Sequence, residues 1–315
     1  MVGFFVFAFV IYTSMINNII SIQGLTKDYS VVRALDGVSL NIPERSIFGI
    51  LGPNGSGKTT MLSILLDIVK PNSGSFSLMG QQPSGKIRRN IGCLLETPSF
   101  YPYLSAEDNL RIAAKIKDVD ESDIPRVLKR LSLFDRRISK FSTFSLGMKQ
   151  RLALASALLG NPSLIVFDEP TNGLDPQGIT DVRALIRELW EEGKTVLIAS
   201  HLLDEVEKVC THVAILKKGK LLATGSVDEV LGDGLTFKLS AGSSNKQLES
   251  LLSRQSKVKS ATQQGDMFIV NADGDLNAEE LNRLCFENGI VLSHLEMSRK
   301  KLESWFIEVT QNPEK

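Results

Sequence analysis

The apolar positions of the chain follow two different spacings, which divide it into strands and helices. Uninterrupted apolar runs, typical of strands covered on both faces of a sheet, lie at 46–51, 164–167 and 195–199. Apolar residues at helical spacing, near one in 3.6, follow at 60–69 and 176–192. This alternation of strands and helices predicts a mostly parallel sheet with helices on its faces.

A helical segment interrupts this α/β pattern at about 98–160. Ser105 and Asp108 form a helix start resembling a capping box, and helical spacing continues over 121–133 and 146–159. The shorter strands, including a hairpin formed by the last two, are predicted at 19–23, 75–79, 91–95, 212–216 and 221–223.

The pattern begins again beyond residue 231. Its elements are ordered strand, helix, strand, strand, helix, strand, and a final helix carries Trp305. The predicted ranges are 237–240, 244–254, 257–262, 267–271, 276–287 and 290–295. The order βαββαβ is that of the ferredoxin-like fold. We therefore expect a large domain at 15–231 and a small α+β accessory domain at 232–315.

Composition limits the classes of protein to consider. The chain has 315 residues, 43% of them hydrophobic, enough for one large domain and one small one. Acidic and basic residues balance at 36 each, so we expect no nucleic-acid partner. The three cysteines lie far apart and form no Cys-x-x-Cys pair, which predicts neither a disulfide framework nor a zinc site.

The N-terminal residues 1–14 are strongly apolar. The apolar stretch at 2–12 is too short to span a bilayer, has no Lys or Arg before it, and lacks a clear cleavage site. We expect an extension outside the fold, with Met15 as an alternative start. A membrane-touching anchor is the alternative.

The strongest chemical signal is the sequence GPNGSGKT at 52–59, between a predicted strand and a predicted helix. Glycines at such spacing let successive backbone N–H groups point inward and form an anion-binding nest. Lys58 is then expected to reach the β- and γ-phosphates of a nucleotide, and the Thr59 hydroxyl to bind Mg²⁺. A surface turn rich in glycine is the alternative, but the strand and helix around the loop disfavour it.

Two carboxylates follow the apolar run at 164–167. We expect Asp168 to hold Mg²⁺, directly or through water, because hard cations prefer oxygen ligands. Glu169 is the expected general base, or the group that orients water, for attack on the γ-phosphate. Alone, the pair would be an ordinary acidic turn after a core strand.

Further motifs carry a resemblance to a known family. The run FSLGMKQR at 144–151, LIVFDEP at 164–170, GLDP at 173–176 and then His201 follow the phosphate loop in order. Over about 19–230 the chain therefore resembles the ATP-binding subunit of an ATP-binding cassette (ABC) transporter. The resemblance implies a P-loop NTPase core of ABC type, with a mostly parallel sheet, an antiparallel β subdomain and a helical insert.

The resemblance also implies roles for single residues. Glu169, His201 and Lys58 would be catalytic, with His201 the switch histidine. Mg²⁺ would be bound by Thr59, Asp168 and Glu96. ATP would be bound by Tyr29, Gly52, Asn54, Gly55, Ser56, Gly57, Lys58, Thr59, Thr60, Glu96, Ser145, Gly147 and Asp175.

For three of these residues, a family motif or a physical argument supports the expected role in binding ATP. Ser145 and Gly147 match the LSGGQ signature of the family, whereas Leu146 and Met148 depart from it. Ser145 also predicts a helix N-cap, whose free N–H groups would face the ATP of a second subunit. Tyr29 resembles the aromatic that stacks on adenine, although a core or turn tyrosine remains the alternative.

Glu96 departs from the family pattern, where Gln is usual. A carboxylate there, followed by TPSFYPYLSAEDNL, resembles the subunits that export bacitracin or lantibiotics and confer immunity to them. An ordinary loop acid is the alternative. The ending at 302–308 resembles the terminal helix of this group and of the drug exporters.

The resemblance implies an ATPase subunit, dimeric with itself or a homologous subunit, that lies at the cytoplasmic face of the membrane. It would power export of a peptide antibiotic or similar amphiphile, hence antibiotic resistance, through a separate permease. Alternatives are another exported substrate, such as a drug, lipid or ion, and a soluble ABC protein of translation or DNA repair. The latter predicts two cassettes, coiled coils or a basic face, none of which is visible. A regulatory module without turnover is disfavoured by Glu169.

Overall fold

A computed structural model describes residues 17–95, 99–231, 235–272, 276–299 and 301–311. The expected apolar extension at 1–14 and the expected ligand Glu96 lie outside these ranges. Within them, every helix is too short or too polar to cross a membrane.

The described residues form strands and helices in the alternation that the sequence predicts. The strands are β1 (Asn18–Tyr29), β2 (Val32–Pro43), β3 (Ile47–Leu51), β4 (Ser73–Leu78), β5 (Ile91–Leu94), β6 (Leu164–Asp168), β7 (Thr195–Ser200), β8 (His212–Lys217), β9 (Lys220–Ser226), β10 (Leu235–Ser240), β11 (Val258–Gln264), β12 (Met267–Ala272) and β13 (His294–Arg299). The α-helices are α1 (Lys58–Leu65), α2 (Gly85–Arg89), α3 (Ala106–Lys117), α4 (Ile124–Arg130), α5 (Leu146–Leu158), α6 (Pro176–Glu191), α7 (Leu203–Glu207), α8 (Val227–Leu231), α9 (Asn245–Leu252), α10 (Ala278–Glu287) and α11 (Leu302–Gln311).

A six-stranded sheet is the centre of the larger unit. Its order is β5-β6-β7-β3-β8-β9, and all neighbours are parallel except the antiparallel β8–β9 hairpin. In β3, Ile47 and Leu51 enter the hydrophobic core on one face, while Phe48 and Ile50 enter the core on the other. Because both faces are covered, the inner strands β3, β6, β7 and β8 are apolar except at their ends, which confirms the mostly parallel sheet expected from the uninterrupted runs.

An antiparallel sheet of order β2-β1-β4 encloses the second of these cores together with α1. From the sequence, only residues 19–23 of β1 were predicted as a strand, and β2 was not predicted. The register between these strands shifts between the pairs Ile22–Leu40 and Leu25–Val38. Such a bulge breaks the alternation of apolar residues by which a strand is recognised in sequence.

The helical insert packs against the opposite face of the central sheet. Ser105 caps α3 as predicted, because its Oγ accepts from the Asp108 N–H at 3.0 Å. The helix predicted at 121–133 is shorter, with one 3-10 turn before α4. It ends early because Ser132 adopts φ 56°, a left-handed conformation that a helix cannot continue through.

The C-terminal sheet is antiparallel with order β11-β12-β10-β13, and α9 and α10 complete the predicted order βαββαβ. Its last strand is β13 at 294–299 and not the predicted 290–295. Ile290, 3% exposed, instead closes the core after Gly289 at φ 74° ends α10. Pairing with β10 then begins near Ser293, whose N–H donates to the Ser240 carbonyl at 2.8 Å.

The final helix α11 packs on the larger unit, although its residues fall in the accessory domain expected at 232–315. Leu302 is fully buried in the core that the central sheet shares with the helical insert. Trp305, Phe306 and Val309 pack against the same core. The chain therefore returns to the larger unit after completing the C-terminal sheet.

Candidate nucleotide-binding site

The loop between β3 and α1 is packed so tightly that glycine is required at two positions. A Cβ on Gly52 would lie 2.2 Å from the Leu216 carbonyl oxygen, closer than any real contact. A Cβ on Gly57 would lie 2.5 Å from the Ala34 oxygen, and the residue has φ 109°. Gly55 also has a positive φ, of 76°, but open space around it. The loop is therefore held in shape by the strand ends on which it rests.

Lys58 begins α1 and is 6% exposed. Its Nζ donates to the carbonyl oxygens of Gly52 at 2.7 Å and of Pro53 at 3.3 Å, so its side chain folds back along the loop. Burial lowers the pKa of Lys58, and the nearby carboxylates of Glu169 and Asp168 oppose that shift. The amine is thus positioned as a charged group that lines the loop.

Thr59 and Asp168 meet across the gap between α1 and the end of β6. The Thr59 Oγ1 donates to Asp168 Oδ2 at 2.7 Å, and Asp168 is 1% exposed. A hydroxyl and a carboxylate are hard oxygen donors, the type that Mg²⁺ prefers. The pair fits the metal that the sequence predicted for these two residues.

Glu169 and His201 lie side by side because β6 and β7 are parallel neighbours and both residues follow the strand ends. His201 Nδ1 is 2.8 Å from Glu169 Oε1, and Lys58 Nζ is 4.0 Å from the same oxygen. Glu169 has φ 50°, a left-handed conformation that is strained for a residue with a side chain. Its backbone N–H is fixed on the Ala199 carbonyl at 2.9 Å.

Ser145, Gly147 and Asp175 line a different cavity, of about 630 Å³. The Ser145 Oγ caps α5 by accepting from the Met148 N–H at 3.3 Å. Asp175 caps α6 by accepting from the Gly178 N–H at 2.8 Å. The residues around this cavity include none of the described residues 52–60. One chain therefore keeps its signature motif apart from its own phosphate loop.

The other predicted ligands occupy mixed environments. Tyr29 ends β1 with 45% exposure, and Lys27 Nζ lies 5.1 Å from its ring centroid. Asn54 is exposed and Thr60 is half-buried, whereas Ser56 is 1% exposed and faces the protein. Glu96 lies outside the described residues.

Sequence reasoning missed three residues that support the site. The Gln150 side chain donates to the Pro170 carbonyl at 2.8 Å and so ties α5 to the loop after Glu169. The Ser200 Oγ donates to Glu169 Oε2 at 3.4 Å. The Gly219 N–H donates to the Ser56 carbonyl at 2.9 Å and supports the phosphate loop from the β8–β9 turn. Only the turn position of Gly219 was visible in the sequence.

A glycine-rich loop between a parallel strand and a helix, with lysine and threonine in the loop and a carboxylate at the end of another strand of the same sheet, defines a P-loop nucleotide-binding protein. Comparison with known proteins narrows this class. Residues 35–172 match the family described as ABC transporter. The bacitracin transport ATP-binding protein BcrA of Bacillus licheniformis is 38% identical over 308 residues, 93% of this chain and 97% of that protein. The chain belongs to the ATP-binding proteins of the ABC transporter family, which bind ATP.

Two further comparisons agree with this membership. The lantibiotic transport ATP-binding protein SrtF of Streptococcus pyogenes is 40% identical over 211 residues, 66% of this chain and 91% of that protein. A dimeric structure of a post-hydrolysis state of an ATP-binding cassette bound to ADP and Pi is 29% identical, with a TM-score of 0.60. That match covers 66% of this chain and 98% of the other. The fold class predicted from the sequence is thereby confirmed.

Proposed function

We propose that this chain hydrolyses ATP with Mg²⁺, and the position of Glu169 is the observation that carries the proposal. Its carboxylate lies beside His201, 4.0 Å from Lys58, and directly after the Asp168 that accepts from Thr59. A base for an attacking water, a cation for the phosphates and oxygen ligands for a metal are the parts that phosphoryl transfer needs. A module that only binds nucleotide would not need Glu169 as a base for an attacking water.

Different residues bind the phosphates, the metal, the attacking water and the adenine. Lys58 and the backbone N–H groups of the loop bind the β- and γ-phosphates. Thr59 and Asp168 hold Mg²⁺, and the metal when bound neutralises charge on the phosphate oxygens. Glu169 orients or deprotonates water, and His201 holds the Glu169 carboxylate in place and contacts the γ-phosphate. Tyr29 stacks on the adenine.

The active form is a head-to-tail dimer, with itself or a homologous subunit, in which each ATP lies between two chains. The separation of Ser145 from the phosphate loop of its own chain supports this arrangement. The N-terminus of α5 offers N–H groups and partial positive charge that fit the γ-phosphate bound by a partner. Gly147 leaves that approach open, and Asp175 lies at the same face.

Substitution Glu169→Gln tests this assignment. The variant keeps the shape of the side chain but cannot act as a base, so we expect it to bind ATP, lose turnover and accumulate as a dimer. Sedimentation of the variant with Mg²⁺ and ATP, compared with the parent chain and with ADP, measures this. A variant that remains monomeric with ATP, or that turns over at the parent rate, would contradict the assignment.

The transported substrate is proposed to be a peptide antibiotic, moved outward through a separate permease. The support is the similarity over nearly the whole chain to a bacitracin transport protein and over two thirds of it to a lantibiotic transport protein. We place the chain at the cytoplasmic face of the membrane, where the helical insert and the loop at Glu96 contact the permease. A drug, lipid or ion is the alternative cargo.

Two measurements separate these possibilities. Affinity purification from membranes should recover an integral membrane protein together with this chain. A deletion strain should become more sensitive to bacitracin or a lantibiotic, and the parent gene, but not its Glu169→Gln form, should restore resistance. Unchanged resistance to peptide antibiotics with altered sensitivity to drugs would favour the alternative cargo.

A further inference from the structure

The helix α11 lies outside the C-terminal sheet but is held at both ends by the larger unit. At its beginning, the Leu302 N–H donates to Glu207 Oε2 at 2.8 Å. At its end, the Lys217 Nζ donates to the Thr310 carbonyl oxygen. A carboxylate at the N-terminus and an ammonium at the C-terminus both complement the helix dipole. Charged side chains from the larger unit therefore stabilise both ends of α11.

These two side chains come from segments that carry the nucleotide site. Glu207 is the last residue of α7, and α7 begins directly after His201 and Leu202. Lys217 is the last residue of β8, and the turn after it contains Gly219, whose N–H donates to the Ser56 carbonyl in the phosphate loop. One helix thus bridges the histidine side of the site and the phosphate-loop side.

Between its two ends, α11 also packs against the hydrophobic core of the larger unit. Leu302 is fully buried, and the partly buried Trp305 belongs to the same core as Leu203 of α7 and Leu231 of α8. The helix follows β13 closely in sequence, since β13 ends at Arg299 and α11 begins at Leu302. The packing and the two end contacts therefore hold α11 against α7 and β8.

We infer that Glu207 and Lys217 are positioning residues that act through α11, and that α11 supports the segments that carry His201 and the turn beneath the phosphate loop. The inference rests on the proposed ATP hydrolysis, because His201 and the loop matter only if they act on ATP. Neither Glu207 nor Lys217 is among the residues proposed to bind the nucleotide. Each of them holds one end of α11. Through these contacts, α11 supports α7, which follows His201, and the β8–β9 turn, which supports the phosphate loop.

Glu207→Ala removes the acceptor at the start of α11, and Glu207→Gln retains an oxygen there. Because a lost cap shifts a local equilibrium by about fivefold, we expect Glu207→Ala to lower kcat by about fivefold with the KM for ATP changed less than about twofold. The Gln variant should keep at least about half of the parent kcat.

Asn277→Ala is the matched control. Asn277 caps α10 by accepting from the Glu280 N–H at 2.8 Å, and α10 packs in the core of the C-terminal sheet. Its loss removes a cap of similar strength, so this variant should keep the parent kcat. If it lowers kcat as much as Glu207→Ala does, or if Glu207→Ala has no effect, the inference is overturned.

Hydrogen exchange gives a readout that does not depend on turnover. In Glu207→Ala, amides of 203–207 and of 302–311 should both exchange faster, by about fivefold. Faster exchange in α11 alone would refute transmission to α7. If the parent chain fails to hydrolyse ATP, the proposed function fails, and the exchange result still decides whether α11 and α7 are coupled.

Discussion

Removal of the Thr59 hydroxyl should destabilise the nucleotide-free protein by an amount that follows from the site geometry. The Oγ1 of the exposed Thr59 donates at 2.7 Å to a carboxylate that is 1% exposed, so loss of the hydroxyl removes a hydrogen bond from a buried charged group. Hydrogen bonds to charged groups contribute about 1.5–3 kcal/mol. Thr59→Val keeps the shape of the side chain and creates no cavity. We therefore expect the free energy of unfolding to fall by about 2 kcal/mol.

Urea denaturation followed by tryptophan fluorescence suits this measurement, because both tryptophans report on the larger unit. Trp190 lies on α6, where its Nε1 donates to the Arg45 carbonyl, and Trp305 packs on the core from α11. With an m-value of about 3 kcal/mol per M, the midpoint should fall by about 0.7 M. Thr59→Ser retains the hydroxyl and should lose less than about 0.5 kcal/mol. A Val variant as stable as the parent, or a Ser variant equally weakened, would refute this reasoning.

Two further predictions concern a buried lysine of the helical insert and the packing of the phosphate loop. Burial lowers the pKa of Lys117 from 10.5 to about 8, so between these values the unfolded chain binds more protons at this site than the folded one. The stability of the parent relative to Lys117→Met should therefore rise as pH increases from about 8 to about 10.5, and a flat or falling difference in urea unfolding would contradict this. Gly52→Ala would place a Cβ 2.2 Å from the Leu216 oxygen and should cost more than about 2 kcal/mol and weaken binding of a fluorescent ATP analogue. Gly85→Ala, with open space around its Cβ, is the control, and equal losses in the two variants would contradict the packing argument.

The parts of the fold that could be predicted are those in which burial controls the sequence. Strands β3, β6 and β7 are covered on both faces, so their positions are apolar except at the strand ends and the run is easily recognised. Strand β2 was missed because a second register shift, between the pairs Leu25–Val38 and Lys27–Leu35, adds a residue to β2 and interrupts its alternation. The last strand was placed four residues early, since Ile290 has the apolar character of a strand residue but serves to close the core after α10.

The candidate site also contains features that could be predicted from the sequence and features that could not. The phosphate loop and the two carboxylates at the end of β6 could be predicted from local sequence, because their chemistry requires fixed residue types at fixed spacing. The contacts of Gln150 with Pro170 and of Gly219 with Ser56 join residues far apart in the chain, and no local pattern encodes them. The docking of α11 also joins residues far apart in the chain, because its N-terminus contacts Glu207 and its C-terminus contacts Lys217.

Phosphate release from Mg²⁺-ATP by the purified chain, alone and together with its co-purified permease, tests the proposed ATPase most directly. We expect steady release that depends on Mg²⁺, falls with removal of the Thr59 hydroxyl, and is abolished in Glu169→Gln while ATP binding persists. Tight ATP binding without release in the complete complex, or release that Glu169→Gln leaves unchanged, would contradict the assignment of Glu169 and with it the proposed function.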